Sequence, residues 1–170
     1  MGSYCELLVT SNFSFLRGAS HPEEYAEQAA ALGYQAIGLA DINTVAGVVR
    51  GHVAAKQHGI KLLVGSHLVF LAETTSGLPQ IDPAQVYKTP RREAEDDPIL
   101  LEAAPSSHSW LPVSLVVYPQ DKKSYGRMCR ILTSGKIRAP KGECMLSLDD
   151  LEQHNDGLFG IAVIQDRYDP

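Results

Sequence analysis

Residues Gly38–Gly65, GLADINTVAGVVRGHVAAKQHGIKLLVG, decide the fold reading. Two short apolar runs, Gln35–Ala40 and Ile60–Val64, bracket a segment with helical spacing. Asn43 or Thr44 stands where an N-cap side chain is expected. Val45, Val48, Val49, Val53 and Ala54 are expected to form the buried stripe of this helix, and Gly59 its C-terminal stop. His52 and His58 then fall on the solvated side. A strand, a helix and a second strand at this spacing predict parallel strands joined by a crossover helix. Gly47, Gly51 and Gly59 lie within or after the helix, so they are no dinucleotide fingerprint, whose glycines precede one.

The same pattern extends toward the N-terminus. Tyr4–Val9 is apolar and β-prone and predicts a first short strand. A loop follows, with Asn12, Phe13 and Phe15 as its expected anchors. Ser20 and Glu23 have the spacing of a capping box, with Pro22 in the first turn. The helix so opened carries Tyr25, Ala29 and Leu32 on one face and stops at Gly33. With His67–Leu71 extended, the first 70 residues read strand, loop, helix, strand, helix, strand. The implied fold class is α/β, with parallel strands in a layer or barrel.

Beyond this the rhythm breaks. Glu73–Trp110 holds Pro79, Pro83, Pro90, Pro98 and Pro105 and the charged run Arg91–Asp97, and reads as a mobile, solvated insertion. Regular structure is expected again at Val113–Tyr118, a strand. A helix from Asp121 to Thr133 should turn Tyr125, Met128, Cys129 and Leu132 inward. Ser147 and Asp150 cap a short helix through Gln153, and Leu158–Ile164 is a last apolar strand. No internal repeat is apparent.

Composition narrows the class. The chain has 170 residues, 44% hydrophobic and 21% charged, as expected of one globular domain. No apolar run is long enough to span a membrane. The N-terminus shows no basic region followed by an apolar stretch, and the odd, widely spaced cysteines fit a reducing cytoplasm, the expected location. Cys5, Cys129 and Cys144 are odd in number and far apart, a poor framework for disulfides or zinc. Net charge is −5, and the basic residues read as scattered apart from Lys136, Arg138 and Lys141. The expectation is weak DNA binding by this chain alone.

Two segments carry a resemblance: Tyr4–Ser20, YCELLVTSNFSFLRGAS, and Gly38–Gly65. Both resemble the start of the PHP (polymerase and histidinol phosphatase) domain that opens bacterial C-family DNA polymerases of the polymerase III alpha type, closest to their error-prone branch. Asp121–Thr133, DKKSYGRMCRILT, and Ala139–Glu143, APKGE, are similar to the same branch. The resemblance implies a partial PHP-type barrel spanning residues 1–170, truncated relative to the whole domain, with 73–110 as the insertion.

It also implies a metal-binding pocket, in which clustered His, Asp and Glu hold zinc, manganese or magnesium to activate water and clamp phosphate. At the corresponding positions this chain has other residues. Leu8 and Thr10 stand for His-x-His, Arg17 for an Asp, Ile42 for the His of Asp-His, His67 for a Glu and Ser114 for a His. Asp41 is unchanged, and Asn43 follows in the same loop. A guanidinium at Arg17 repels a cation. Asp41, His67 and Glu6 remain as weak candidate ligands.

Three functions follow as expectations. The first is a structural module of an error-prone DNA polymerase with roles in replication and damage repair. In that case the partners are the rest of the polymerase chain and, through it, DNA. The second is a metal-dependent phosphoesterase or 3′–5′ exonuclease. The third is an anion-binding module using Arg17 beside Thr10 and His67. Other catalytic arrangements have no support: Ser11, Ser14 and His21 lack the nucleophile-elbow pattern. An open sheet edge favours a homodimer.

Overall fold

A computed structural model describes residues 4–74 and 109–163. Five strands form one sheet in the order β1-β2-β3-β4-β5. They are β1 (Cys5–Val9), β2 (Ala36–Ile42), β3 (Lys61–Thr74), β4 (Ser109–Pro119) and β5 (Leu158–Val163). β1, β2 and β3 are parallel, as the alternating pattern implies. β4 and β5 then join antiparallel, so the sheet is mixed. It is a curled half-barrel, the partial PHP-type architecture expected.

The antiparallel step arises where the insertion was expected. β3 and β4 reach into both ends of Glu73–Trp110, with Glu73 opposite Trp110 and Thr74 opposite Ser109. The two strands pair antiparallel from Ser66 opposite Val117 out to Thr74 opposite Ser109. The rest of the expected insertion, 75–108, lies outside the described residues.

Two helices cover one face of the parallel strands. α1 (Pro22–Ala31) starts one residue later than the Ser20–Glu23 box predicts: His21 is the N-cap, and its backbone N–H donates to Glu24 Oε2 at 2.8 Å. The shift has a cause. Ser20 is held by the preceding loop, its carbonyl accepting from the Asn12 N–H at 2.9 Å. Tyr25 and Ala29 face inward as expected, but Leu32 sits at the C-cap and is exposed.

α2 (Val48–His58) departs further from the expected stripe. Its buried residues are Gly51, Ala54 and Ala55, while Val49 and Val53 face solvent. The helix lies so close to the sheet that only small residues fit: a Cβ on Gly51 would come within 3.3 Å of Leu39. Neither Asn43 nor Thr44 caps it. Gly47 is the N-cap, and Thr44 Oγ1 accepts from the Ala46 N–H at 3.1 Å in the turn before. Gly59 ends the helix in the left-handed conformation, as expected.

α3 (Lys122–Arg138) and α4 (Leu148–Glu152) follow β4. Asp121 caps α3, its carboxylate accepting from the Ser124 N–H at 2.8 Å. Met128 and Leu132 are buried as expected, together with Ile131, against Leu68, Phe70 and Val117; Tyr125 and Cys129 are half-buried. α3 runs five residues past Thr133. Gly135 lets Leu146 and Cys144 pack on that last turn, where a Cβ would lie 2.4 Å from Leu146 Cδ2. Ser147 caps α4 as predicted.

Candidate functional site

The loop after β1 folds around one carboxylate. Asp41, at the end of β2, is 2% exposed. Its Oδ1 accepts from the Ser11 N–H at 2.8 Å and the Ser14 hydroxyl at 2.7 Å, and its Oδ2 from the Ser11 hydroxyl at 2.8 Å. Ser14 Oγ in turn accepts from the Ile42 N–H at 2.9 Å. Ser11 and Ser14 are themselves buried. A buried carboxylate is tolerated when charge-assisted bonds replace its water, and here one amide and two hydroxyls do so. Gly18 closes the loop, because a Cβ there would sit 2.2 Å from the Ser11 carbonyl oxygen. The partner role of the two serines was not anticipated. The signal available was a Ser-x-x-Ser pair just after one strand and an acid at the end of the next.

The opposite face of the sheet is concave and largely free of helices. Alternation along the strands places Ala40 and Ile42 of β2, Leu63 and His67 of β3, Ser114, Val116 and Tyr118 of β4 and Val163 of β5 on it. Tyr118 crosses this face and donates its hydroxyl to the Leu7 carbonyl. Its side chain lies over Gly38 and Gly65, where a Cβ would come 2.2 Å from the hydroxyl oxygen and 2.6 Å from the ring. Burial raises the Tyr118 pKa and keeps the phenol protonated.

His67 is half-buried on the same face, and its Nε2 has no hydrogen-bond partner among the described residues. Burial lowers its pKa and favours the neutral ring. Its backbone carbonyl accepts from the Asn43 N–H at 2.9 Å, and Asn43 Oδ1 accepts from the Val69 N–H at 3.0 Å. Asn43 takes a left-handed φ of 50°, which asparagine tolerates better than most residues, and thereby ties β2 to β3.

Residues 6–168 match the PHP domain family. The chain belongs to the PHP domain family. It is 40% identical over 160 residues to an error-prone DNA polymerase of Caulobacter vibrioides, covering 94% of this chain and 11% of that one. It is 36% identical to error-prone DNA polymerase 1 of Agrobacterium fabrum, covering 94% of this chain and 11% of that one. This PHP chain therefore spans about a tenth of the length of the curated relatives it matches. Among solved structures, one described as a metal-dependent phosphoesterase from Bifidobacterium adolescentis aligns with a TM-score of 0.48 at 18% identity, over 81% of this chain and 34% of that one.

The positions that the resemblance assigns to metal ligands fall in different surroundings. Leu8 lies on the concave side and is exposed, and Thr10 is half-buried. Ile42 and His67 are direct cross-strand neighbours, and Ser114 pairs with Val69. Arg17 is exposed and lines a shallow hollow with residues of its own loop, Asn12, Phe15, Leu16, Gly18 and Ala19; Thr10 and His67 are not among them. Phe15, expected to anchor that loop, is 71% exposed, and Asn12 does the anchoring instead, its amide donating to His21 Nδ1 at 2.8 Å.

The three weak candidate ligands stand in three places. Asp41 pairs with Ser66 and His67 with Ile42, so their side chains project to opposite faces of the sheet. Glu6 is held near the start of β1, accepting from the Tyr4 hydroxyl at 2.7 Å and the Leu8 N–H at 2.9 Å; the first of these bonds contributes most to lowering its pKa. Among the described residues no three His, Cys, Asp or Glu side chains gather as a metal-holding group. The donors present do not fit the divalent-metal centre that the family implies.

Proposed function

We propose that this chain is the PHP portion of an error-prone DNA polymerase and acts as a structural module without phosphoesterase activity of its own. One observation carries the reading. The acid that remains at a ligand position, Asp41, has its carboxylate occupied by Ser11 and Ser14 and is turned away from His67. The same bonds give Asp41 a structural task, holding the β1–α1 loop to β2. In this reading the parent enzyme is a nucleotidyltransferase of the cytoplasm that copies damaged DNA. Among the described residues no helix is long and apolar enough to cross a membrane.

The proposed partner is the rest of the polymerase chain, and its seat is the concave face. Phe159 and Ile161 of β5 and Leu8 of β1 are exposed there, an apolar surface of the kind that marks an interface. The lengths of the relatives supply a partner from the same polypeptide. A homodimer through this face is the competing arrangement, and analytical ultracentrifugation separates the two: the reading predicts a monomer at micromolar concentration.

The phosphoesterase reading keeps one supporting observation, the neutral and unpartnered Nε2 of His67. Hydrolysis of bis-p-nitrophenyl phosphate with manganese or zinc tests it. The expected rate is that of buffer plus metal. Turnover that His67→Ala abolishes while the fold is retained would overturn the scaffold reading.

A further inference from the structure

α3 concentrates positive charge that the sequence pattern made look scattered. Six of its residues are Lys or Arg and none is Asp or Glu, in a chain of net charge −5. Two of the six are neutralised on the flank nearest α4: Arg127 pairs with Asp156 at 3.6 Å and Arg138 with Asp150 at 2.9 Å. Lys122, Lys123, Arg130 and Lys136 make no ion pair among the described residues, nor does Lys141 just beyond the helix. At about 3.6 residues per turn, Lys122, Lys123, Gly126, Arg130, Thr133 and Ile137 lie opposite the buried Met128, Ile131 and Leu132. All six are exposed.

Gly126 is the second, independent observation. It sits in the middle of this outward face, where glycine destabilises a helix relative to alanine. Nothing within the described structure requires it: a Cβ there would meet no atom within 4 Å. By contrast, Gly51 and Gly135 on the inward faces of their helices are each crowded by a neighbouring side chain. A glycine with empty space above it, flanked by unpaired Lys and Arg one turn on either side, suits a backbone approaching from outside.

We infer that the outward face of α3 is a docking surface for the phosphodiester backbone of DNA. Lys122, Lys123 and Arg130 supply the charge, with Lys136 on the flank, and Gly126 allows close approach. From Lys122 to Lys136 the stripe is about 21 Å long, and duplex DNA presents one charge per about 1.7 Å of axis, so several contacts form at once. Contacts of this kind position a duplex without reading its sequence. The choice of DNA over another polyanion rests on the polymerase reading above.

The test is fluorescence anisotropy of the full chain with a fluorescein-labelled random-sequence DNA duplex at low salt, with polyglutamate as a second probe. Salt-sensitive duplex binding is expected, with polyglutamate bound much more weakly. The double variant Lys123→Glu/Arg130→Glu should weaken duplex binding about tenfold or more and flatten the log–log salt slope by about two. The control Lys56→Glu/Lys61→Glu carries the same change in net charge on other exposed positions and should retain most of the affinity. Gly126→Leu should weaken binding without lowering the melting temperature. Three results overturn the inference: no duplex binding at low salt, equal losses in the control and the α3 variant, or polyglutamate bound as tightly as DNA, which assigns the stripe to an acidic protein segment. Each of them leaves the scaffold reading standing, since that reading rests on the Asp41 bonds and the concave face and not on the outward face of α3.

Discussion

On the helix-covered face of the sheet, Leu68, Phe70, Met128 and Ile131 are fully buried and the Asp41 carboxylate is bonded through both oxygens. On the concave face Phe159 is 63% exposed, Leu8 42% exposed, and His67 Nε2 lacks a partner among the described residues. The covered face has the close packing and polar satisfaction of a stable interior. The concave face is divided: Ala40, Val116 and Tyr118 are buried at its centre, with the Tyr118 hydroxyl bonded to Leu7, while the side chains toward its β1 and β5 edges stay exposed. The contrast teaches that the PHP fold is kept on the covered face, while among the described residues no metal-holding group gathers on either face. Leu8 and Ile42, at two positions that the resemblance assigns to ligands, carry no donor atom for an ion.

The comparison can be broken by substitution. Asp41→Ala should have the largest effect, a loss of about 3–5 kcal/mol in urea unfolding, because it strands the Ser11 amide and two buried hydroxyls. Met128→Ala should follow at about 3 kcal/mol, the usual cost of a cavity in a close-packed core. A result below about 1 kcal/mol for either would mean that the covered face is looser than its burial indicates.

Acid provides a third, smaller effect. Arg138 hydrogen-bonds Asp150 through two nitrogens at 2.9 Å, and Ser147 adds its N–H at 2.9 Å. These bonds, the arginine first, lower the Asp150 pKa to about 2 from an ordinary 3.8. A depressed pKa stabilises the folded state above the unfolded value, and that stability fades as pH falls from about 4 toward 2. Because Arg138 is half-exposed, solvent screening leaves on the order of 1 kcal/mol. Thermal unfolding from pH 5 to pH 2 should show this step in the parent chain and a smaller one in Arg138→Met. Smallest of all should be Phe159→Ser on the open face, within about 0.5 kcal/mol, since that ring is already in water. A loss above about 2 kcal/mol would show that something covers it.

The early strand–helix rhythm was legible because short apolar strands, Gly33, Gly59 and Pro22 act locally. The helix faces were less so. Val49 and Val53 looked like core by hydrophobicity, but the closeness of α2 to the sheet selected Gly51, Ala54 and Ala55, and no periodicity reveals an interlayer distance. Parallel β1–β3 followed from the crossovers, whereas the antiparallel β4 depends on a pairing that runs into a segment without periodicity. Asp41 stood out as the acid at a ligand position, yet its bonds to Ser11 and Ser14 span some thirty residues of sequence. The separation of Asp41 from His67 follows from strand alternation once the register of β2 against β3 is known.

The proposed scaffold role requires that Asp41, Glu6 and His67, which stand apart in the described structure, hold no metal together. Elemental analysis of the folded chain, purified without a histidine tag and dialysed against zinc and manganese, addresses it directly. The account predicts bound metal near zero per chain. A stoichiometry near one that falls to zero in His67→Ala would contradict it.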